Sequence, residues 1–183
     1  LQGFGRRNMT LSRAEAYDCV IYQVGALSGF AQALGGKLTY VKAHGALYNM
    51  AARDPALAEA IASAVADYDR GMAFYGLAGS ELIRAARAAG LRAVSEVFAD
   101  RSYQDDGSLT PRNQPGAMIE DVEVSVAQVR RMVLEGTVRS VSGKEVPVQA
   151  DTLCIHGDQP GALAFVRRIR EELARDGIDV RAV

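Results

Sequence analysis

The sequence of 183 residues has no tryptophan, two cysteines, two histidines and only three lysines, and its formal net charge is −1. Two cysteines, Cys19 and Cys154, do not make a disulfide framework or a zinc cluster, and we expect both to be buried, unreactive thiols. No apolar run approaches the ~18 residues of a membrane span. The near-neutral charge does not favour binding to nucleic acid or to an anionic membrane. Because the sequence has no disulfide framework, we expect a reducing, cytoplasmic setting.

An apolar fraction of 49% allows a buried core, and the periodicity of the sequence predicts alternating helices and strands. Ser12 and Glu15 form a capping box at the start of the first helix, whose apolar stripe includes Leu27. The pattern predicts an α/β fold with a parallel sheet, open or closed into a barrel. The predicted helices are 11–34, 54–68, 80–90, 122–135 and 160–175; the predicted strands are 38–41, 72–77, 92–98, 152–155 and 179–183, with a hairpin in 138–149 and irregular segments in 42–49 and 102–118.

Polar residues cluster where three of these strands end. Because the carboxyl ends of parallel strands open onto one face, we expect these side chains to share one ligand-binding mouth. They are Lys42 and His44 after the first strand, Glu96, Asp100 and Arg101 at the third, and His156 and Asp158 after the strand at 152–155.

Each of the two histidines precedes a glycine, which lets the backbone approach a ligand closely. A neutral His156 could act as a general base towards water, with Asp158 orienting its ring. Alternatively, His44, His156 and Asp158 could bind a divalent metal ion, or either histidine could be a hydrogen-bonded structural residue.

The charged candidates also have two interpretations. Lys42 could polarise a carbonyl or phosphoryl oxygen, or it could be a solvated charge. Arg101 and Arg112 could pair with a substrate carboxylate, or they could form ordinary salt bridges with residues such as Glu96 and Asp100. The sequence has no Walker A loop, no dinucleotide-binding fingerprint and no G-x-S-x-G elbow, so ATP chemistry would need an unusual site or a partner chain.

Several of these segments together resemble the LamB/YcsF family. The segment KAHGALYN at 42–49 resembles the family signature KPHGALYN, with Ala43 in place of proline. The resemblance runs in order through nearly the whole chain. The other matching segments are LQGFGRR at 1–7, YGLAGSE at 75–81, EVFADRSYQ at 96–104, GSLTPR at 107–112 and CIHGDQPG at 154–161.

The resemblance implies the A-type subunit of an ATP-dependent 5-oxoprolinase, which opens 5-oxoproline to glutamate with ATP as co-substrate and with two partner subunits. It also implies a seven-stranded β/α barrel of the glycoside hydrolase/deacetylase type, formed by one domain over residues 1–183. Family sequences begin with further acidic and histidine-containing segments. We therefore expect N-terminal β/α units of the barrel to be missing from this sequence.

The resemblance and the strand-end pattern together suggest roles for individual residues. We expect Lys42, His44, Glu96, His156 and Asp158 to be catalytic, with His156 and Asp158 activating water. We expect Tyr48, Asn49 and Asp100 to contact substrate, and Arg101 or Arg112 to hold its carboxylate. The alternatives are a metal-dependent, deacetylase-like hydrolase of a C–N bond and a non-catalytic binding subunit of the complex.

Overall fold

Helices alternate with strands along the chain, as the sequence predicts. The structure is a computed structural model and describes residues 5–157 and 161–182. The chain divides into two units, residues 1–95 and 96–183, which are described in turn. Among the helices in these described ranges, none combines the length and the apolar character of a membrane span.

The first unit begins with helix α1, Arg13–Ala33, and the predicted capping box at its start is confirmed. The backbone N–H of Glu15 donates to Ser12 Oγ at 3.2 Å, and the backbone N–H of Ser12 donates to Glu15 Oε2 at 2.8 Å. The predicted inward position of Leu27 is wrong, because its side chain is exposed while Val20 and Val24 are buried. Cys19 is also exposed, contrary to the prediction of a buried thiol.

Two parallel strands, β1 (Tyr40–Lys42) and β2 (Ala73–Leu77), pair in this unit with Lys42 opposite Tyr75. Between them lie helices α2 (Gly45–Ala51) and α3 (Pro55–Tyr68), and α4 (Glu81–Ala88) follows β2. The prediction of an irregular segment at 42–49 is wrong, because α2 begins at Gly45. A helix of seven residues is too short to produce a clear 3.6-residue periodicity.

Helix α3 forms the centre of this unit and packs against both α1 and α4. The carboxylate of Asp54 caps it by accepting the backbone N–H groups of Ala56 and Leu57. Asp54 is therefore the N-cap of α3, and Pro55 follows it as the first residue of the helix. The many alanines of α3 let neighbouring helices approach closely. Its buried residues are Leu57, Ala58, Ala60, Ile61, Ala62, Ala64, Val65 and Ala66.

Strand β3 (Arg92–Phe98) contributes residues to both units, and its C-terminal part pairs in parallel with β6 (Thr152–Cys154). The strand order of the sheet is β1-β2-β3-β6. Helix α5 (Val122–Arg130) runs into a π-helical turn, Arg131–Glu135, and α6 (Ala162–Arg175) packs against α5.

The second unit contains the predicted hairpin, which is confirmed as antiparallel strands β4 (Thr137–Arg139) and β5 (Glu145–Pro147). The long segment 102–118 is irregular as predicted, with isolated bridges from Arg101 to Met118 and from Tyr103 to Leu109. The predicted strand at 179–183 is wrong over 179–182, which adopt no regular structure, and residue 183 lies outside the described range.

These elements confirm an α/β fold containing parallel strands. Barrel closure, the seven-strand count, the missing N-terminal units and the single domain stay predictions.

Gly45 lies where no larger residue fits, since its φ is 61° and an added Cβ would overlap the carbonyl oxygen of Gly5. We expect Gly45→Ala to lower the free energy of unfolding by about 2 kcal/mol, measured by urea denaturation. Gly143→Ala is the control, because its φ is also positive but no atom lies within 4 Å of the added Cβ. An equal loss of stability in both variants would contradict the importance of this contact.

Candidate functional site

The centre of the candidate site is a contact between Asp100 and His156 in the second unit. Asp100 is fully buried, and its Oδ2 accepts the backbone N–H of His156 at 2.9 Å. The ring Nδ1 of His156 lies 2.8 Å from Oδ2 and 3.1 Å from Oδ1 of the same carboxylate. One carboxylate therefore fixes both the backbone and the ring of His156.

The register of the sheet explains why these two residues meet. Phe98 pairs with Cys154 at the ends of β3 and β6. Continuing this parallel register by two residues beyond each strand end brings residue 100 opposite residue 156. The contact is therefore a consequence of strand pairing between segments 56 residues apart in sequence.

The electrostatics of the pair favour an ionised carboxylate. Burial raises the pKa of Asp100, but the hydrogen bonds from the ring and backbone of His156 lower it by more than burial raises it. The pKa of Asp100 therefore lies below its usual value. An ionised carboxylate only accepts hydrogen bonds, so we assign the ring proton to Nδ1. In the neutral form of the ring, the second nitrogen, Nε2, then carries the lone pair that a general base requires.

The ring of His156 is held on one side and remains accessible. It stacks on the ring of Phe98, with centroids 5.8 Å apart and planes inclined by 20°. About a quarter of the His156 side chain, 26%, is exposed, whereas Phe98 is buried. The imidazole can therefore meet a small molecule while its orientation is fixed by stacking and by Asp100.

The sequence identified His156 but assigned its orienting carboxylate to Asp158. The structure shows Asp100, predicted to contact substrate, in the orienting position. Asp158 lies outside the described residues, so its predicted role is not tested. The local H-G-D sequence favoured the carboxylate nearest in sequence, and only the sheet register could have pointed to Asp100.

Arg101 organises the long irregular segment. This guanidinium is buried and donates from Nη2 to the carbonyl oxygen of Thr110 at 2.5 Å and from Nε to that of Ala117 at 3.3 Å. Burial lowers the pKa of Arg101, and the positive charge of Arg112 lowers it further. Because Arg112 is exposed and Arg101 is buried, Arg112 is the better placed of the two to meet a carboxylate from solution.

Two further buried residues lie near the end of β3. The predicted catalytic residue Glu96 is buried in the strand. Tyr103 is fully buried, and its hydroxyl oxygen accepts the backbone N–H of Phe98 at 2.7 Å. Burial raises the pKa of Tyr103 above its usual value, and the charge of Glu96 acts in the same direction. Nothing in the sequence distinguishes Tyr103 from any other aromatic residue in a polar loop.

The remaining candidates lie in the first unit. Lys42 ends β1, and its Nζ lies 5.6 Å from the ring centroid of Tyr48, which is a cation–π distance. His44 is the N-cap residue of α2 and makes no side-chain capping bond. Asn49 donates to the carbonyl oxygen of Gly45 at 3.1 Å, and Tyr48 is buried. The predicted meeting of Lys42 and His44 with His156 stays a prediction.

The metal hypothesis finds no ligand set in the ranges that the structure describes. No group of three or more histidine, cysteine, aspartate or glutamate residues there could hold a metal ion. The candidate set of His44, His156 and Asp158 includes one residue outside those ranges. The predicted metal site therefore stays a prediction.

Comparison with known proteins identifies the family of this chain. The model of the LamB/YcsF family matches residues 1–183. The chain belongs to the LamB/YcsF family. The crystal structure of a lactam utilization protein from Thermus thermophilus matches with a TM-score of 0.87 and 49% identity, over 99% of this chain and 72% of that one.

Curated relatives in this family carry a more specific name. The second A-type subunit of 5-oxoprolinase from Bordetella bronchiseptica is 61% identical over 183 residues, which are all of this chain and 73% of the relative. The A-type subunit of 5-oxoprolinase from Bacillus subtilis is 55% identical over 183 residues, which are 71% of that protein. The LamB/YcsF resemblance predicted from the motifs is thus confirmed.

Replacing Asp100 with Asn should lower the free energy of unfolding by about 2 kcal/mol at pH 7, because charge-assisted bonds to a buried group are lost. The folded-state pKa of Asp100 is lowered, so this contribution is complete above the unfolded-state pKa of about 3.9 and is lost as the pH falls through the folded-state pKa. Urea unfolding at several pH values would measure both effects.

The exposed Asp18→Asn substitution is the matched control and should leave stability nearly unchanged at every pH. A stability difference between the wild type and Asp100→Asn that stays constant as the pH falls from 7 through the folded-state pKa of Asp100 would contradict the assigned interaction.

Proposed function

We propose that this chain is the A-type subunit of a 5-oxoprolinase and that it opens the lactam ring of 5-oxoproline to give L-glutamate, coupled to ATP hydrolysis. The observation that carries the catalytic part of this proposal is the oriented, partly exposed imidazole of His156 on the buried Asp100. The substrate comes from the names of the relatives, which are 5-oxoprolinase subunits and a lactam utilization protein.

The chemistry of the substrate explains the need for ATP. Amide resonance makes the lactam carbonyl a poor electrophile, and transfer of the γ-phosphoryl group of ATP to the lactam oxygen removes that stabilisation. Water then adds to the activated carbon, and the C–N bond breaks as the ring nitrogen takes a proton. The resulting γ-glutamyl phosphate reacts with a second water molecule to give glutamate and inorganic phosphate.

His156 fits the proton transfers of this sequence. Its Nε2 would take a proton from the attacking water and return it to the leaving nitrogen, acting as base and then as acid. The negative charge of Asp100 would stabilise the imidazolium formed between the two steps. Asp100 thus replaces Asp158 as the orienting carboxylate in this proposal.

Other candidates complete the proposed site. Lys42 and His44 would stabilise the negative charge of the phosphoryl group on the former carbonyl oxygen. Glu96 and Asp158 stay as further catalytic candidates, and Tyr48 and Asn49 as residues near the substrate. The substrate carboxylate would pair with the exposed Arg112 rather than with Arg101, two of whose donors already hold the long loop.

The nucleotide step is assigned to other chains of a complex. The sequence has no recognisable phosphate-binding loop, and the relatives are named as subunits, which indicates an assembly of several chains. We propose two partner subunits, which would bind ATP and phosphorylate the lactam. Ring opening would then be the contribution of this chain.

We expect His156→Ala to reduce ATP-dependent glutamate release by at least ~100-fold, since loss of a general base typically costs that much. The assay would use the complete chain with both partner subunits, each omitted in turn. His156→Gln keeps a polar side chain but cannot transfer the proton, so it should lose activity equally. Near wild-type turnover by His156→Ala would refute the assigned role and favour the non-catalytic binding function.

A second measurement tests the carboxylate contact. Arg112→Ala should raise the KM for 5-oxoproline by about 10-fold while kcat changes little, because the substrate carboxylate is held equally before and during the reaction. The exposed Arg139→Ala in the hairpin is the matched control. An unchanged KM in Arg112→Ala would remove this residue from the substrate site.

A further inference from the structure

We propose that Ser125 and Gln128 of α5 are positioning residues that hold the backbone of segment 98–101 and thereby aim the Asp100–His156 pair. This inference rests on the proposed function for its catalytic consequence, but its structural claim is independent of that function. We call these two side chains the carbonyl clamp.

Segment 98–101 begins at the last residue of β3 and continues beyond the end of the strand. The carbonyl oxygens there need partners, because buried backbone acceptors without hydrogen bonds are costly. Gln128 Nε2 donates to the carbonyl oxygen of Phe98 at 3.0 Å and to that of Arg101 at 2.9 Å. Ser125 Oγ donates to the carbonyl oxygen of Ala99 at 2.8 Å.

The fourth carbonyl oxygen of the segment is also bonded. The carbonyl oxygen of Asp100 accepts the backbone N–H of Ile119 at 3.0 Å. Three of the four carbonyl oxygens from residues 98 to 101 thus bind two side chains of one helix. The clamp brackets Asp100 on both sides, since its bonds end on residues 98, 99 and 101.

The geometry of α5 suits this task. Positions three apart in a helix lie on one face, so Ser125 and Gln128 face the same segment. Ser125 is fully buried, and Gln128 is partly buried. Both positions interrupt the apolar stripe that docks the helix, which indicates that their polar groups serve the buried backbone rather than solvent.

The carbonyl clamp would affect proton transfer by fixing the orientation of the Asp100 carboxylate. The side chain of Asp100 meets two N–H donors of His156 at 2.8 and 2.9 Å, and a shift of the backbone would lengthen both contacts. A misdirected carboxylate would no longer select the Nδ1-protonated ring, so a larger share of His156 would carry its proton on Nε2 and would be unable to accept one.

The test uses the complete chain and NMR of its imidazole nitrogens, which is tractable because the sequence has only two histidines. In the wild type we expect the neutral His156 ring to be protonated mainly at Nδ1. Gln128→Leu and Gln128→Glu, which both remove the donor, should increase the ratio of Nε2–H to Nδ1–H tautomers at least tenfold. They should also speed hydrogen exchange at the His156 amide at least tenfold.

Gln23→Leu is the matched control, because its amide bonds only to Cys19 on its own helix in the described structure. It should change neither measurement. Ser125→Ala tests the clamp through its other member and provides a second route if the Gln128 variants do not fold. Wild-type tautomer ratios and exchange rates in folded Gln128 or Ser125 variants would overturn the proposal.

The activity of the reconstituted complex separates the two proposals. If both stand, Gln128→Leu should lower kcat about tenfold and leave the KM for 5-oxoproline nearly unchanged. If the NMR changes occur but His156→Ala retains full activity, the clamp is established as structural positioning and the proposed catalytic role of His156 fails. If His156→Ala is inactive and the NMR signals of the clamp variants match the wild type, the clamp alone fails.

Discussion

The second unit depends on keeping one buried carboxylate ionised. Removing Asp100 from water is unfavourable for its charge, and burial alone would raise its pKa. Two N–H groups of a single residue, His156, offset that cost. This solution links the ends of β3 and β6, because the carboxylate follows one strand and its donors follow the other. The interaction that completes the local fold is therefore the one that orients the imidazole.

Arg101, the next residue, is also a buried charged group whose hydrogen bonds offset the cost of its burial. The buried guanidinium of Arg101 donates to carbonyl oxygens at Thr110 and Ala117, which lie in different parts of the long irregular segment. A segment without regular secondary structure needs such partners for its backbone, and a single arginine supplies several donors. Asp100 and Arg101 thus divide two tasks between adjacent positions: one orients a reactive ring, and the other shapes the loop that contains Arg112.

The sequence predicted those parts of the fold that local signals determine. The capping box at Ser12 and the hairpin in 138–149 involve residues close in sequence, and both were confirmed. The short helix α2 was missed because seven residues carry too little periodicity. The predicted burial of Leu27 was wrong because hydrophobic periodicity predicts which face of a helix is apolar. It does not predict which residues at the edge of that face other elements bury.

The candidate site also has features that local sequence predicts and features that depend on the folded structure. Both histidines stood out by their rarity and by their position after strands, but the partner of His156 could not be predicted. A carboxylate two residues away in sequence is a plausible partner until the register of β3 and β6 is known.

Helix α5 shows why positioning residues escape a motif search. Val126 and Val129 bury one face of the helix, and the polar residues Ser125 and Gln128 lie next to these packing positions. Neither residue type attracts attention as a proton donor, a metal ligand or a nucleophile. Their importance comes from what they bind, which is the backbone on either side of Asp100. Since a carboxylate can aim an imidazole only as well as its own backbone is held, the chemistry attributed to His156 extends to a helix that need not touch the substrate.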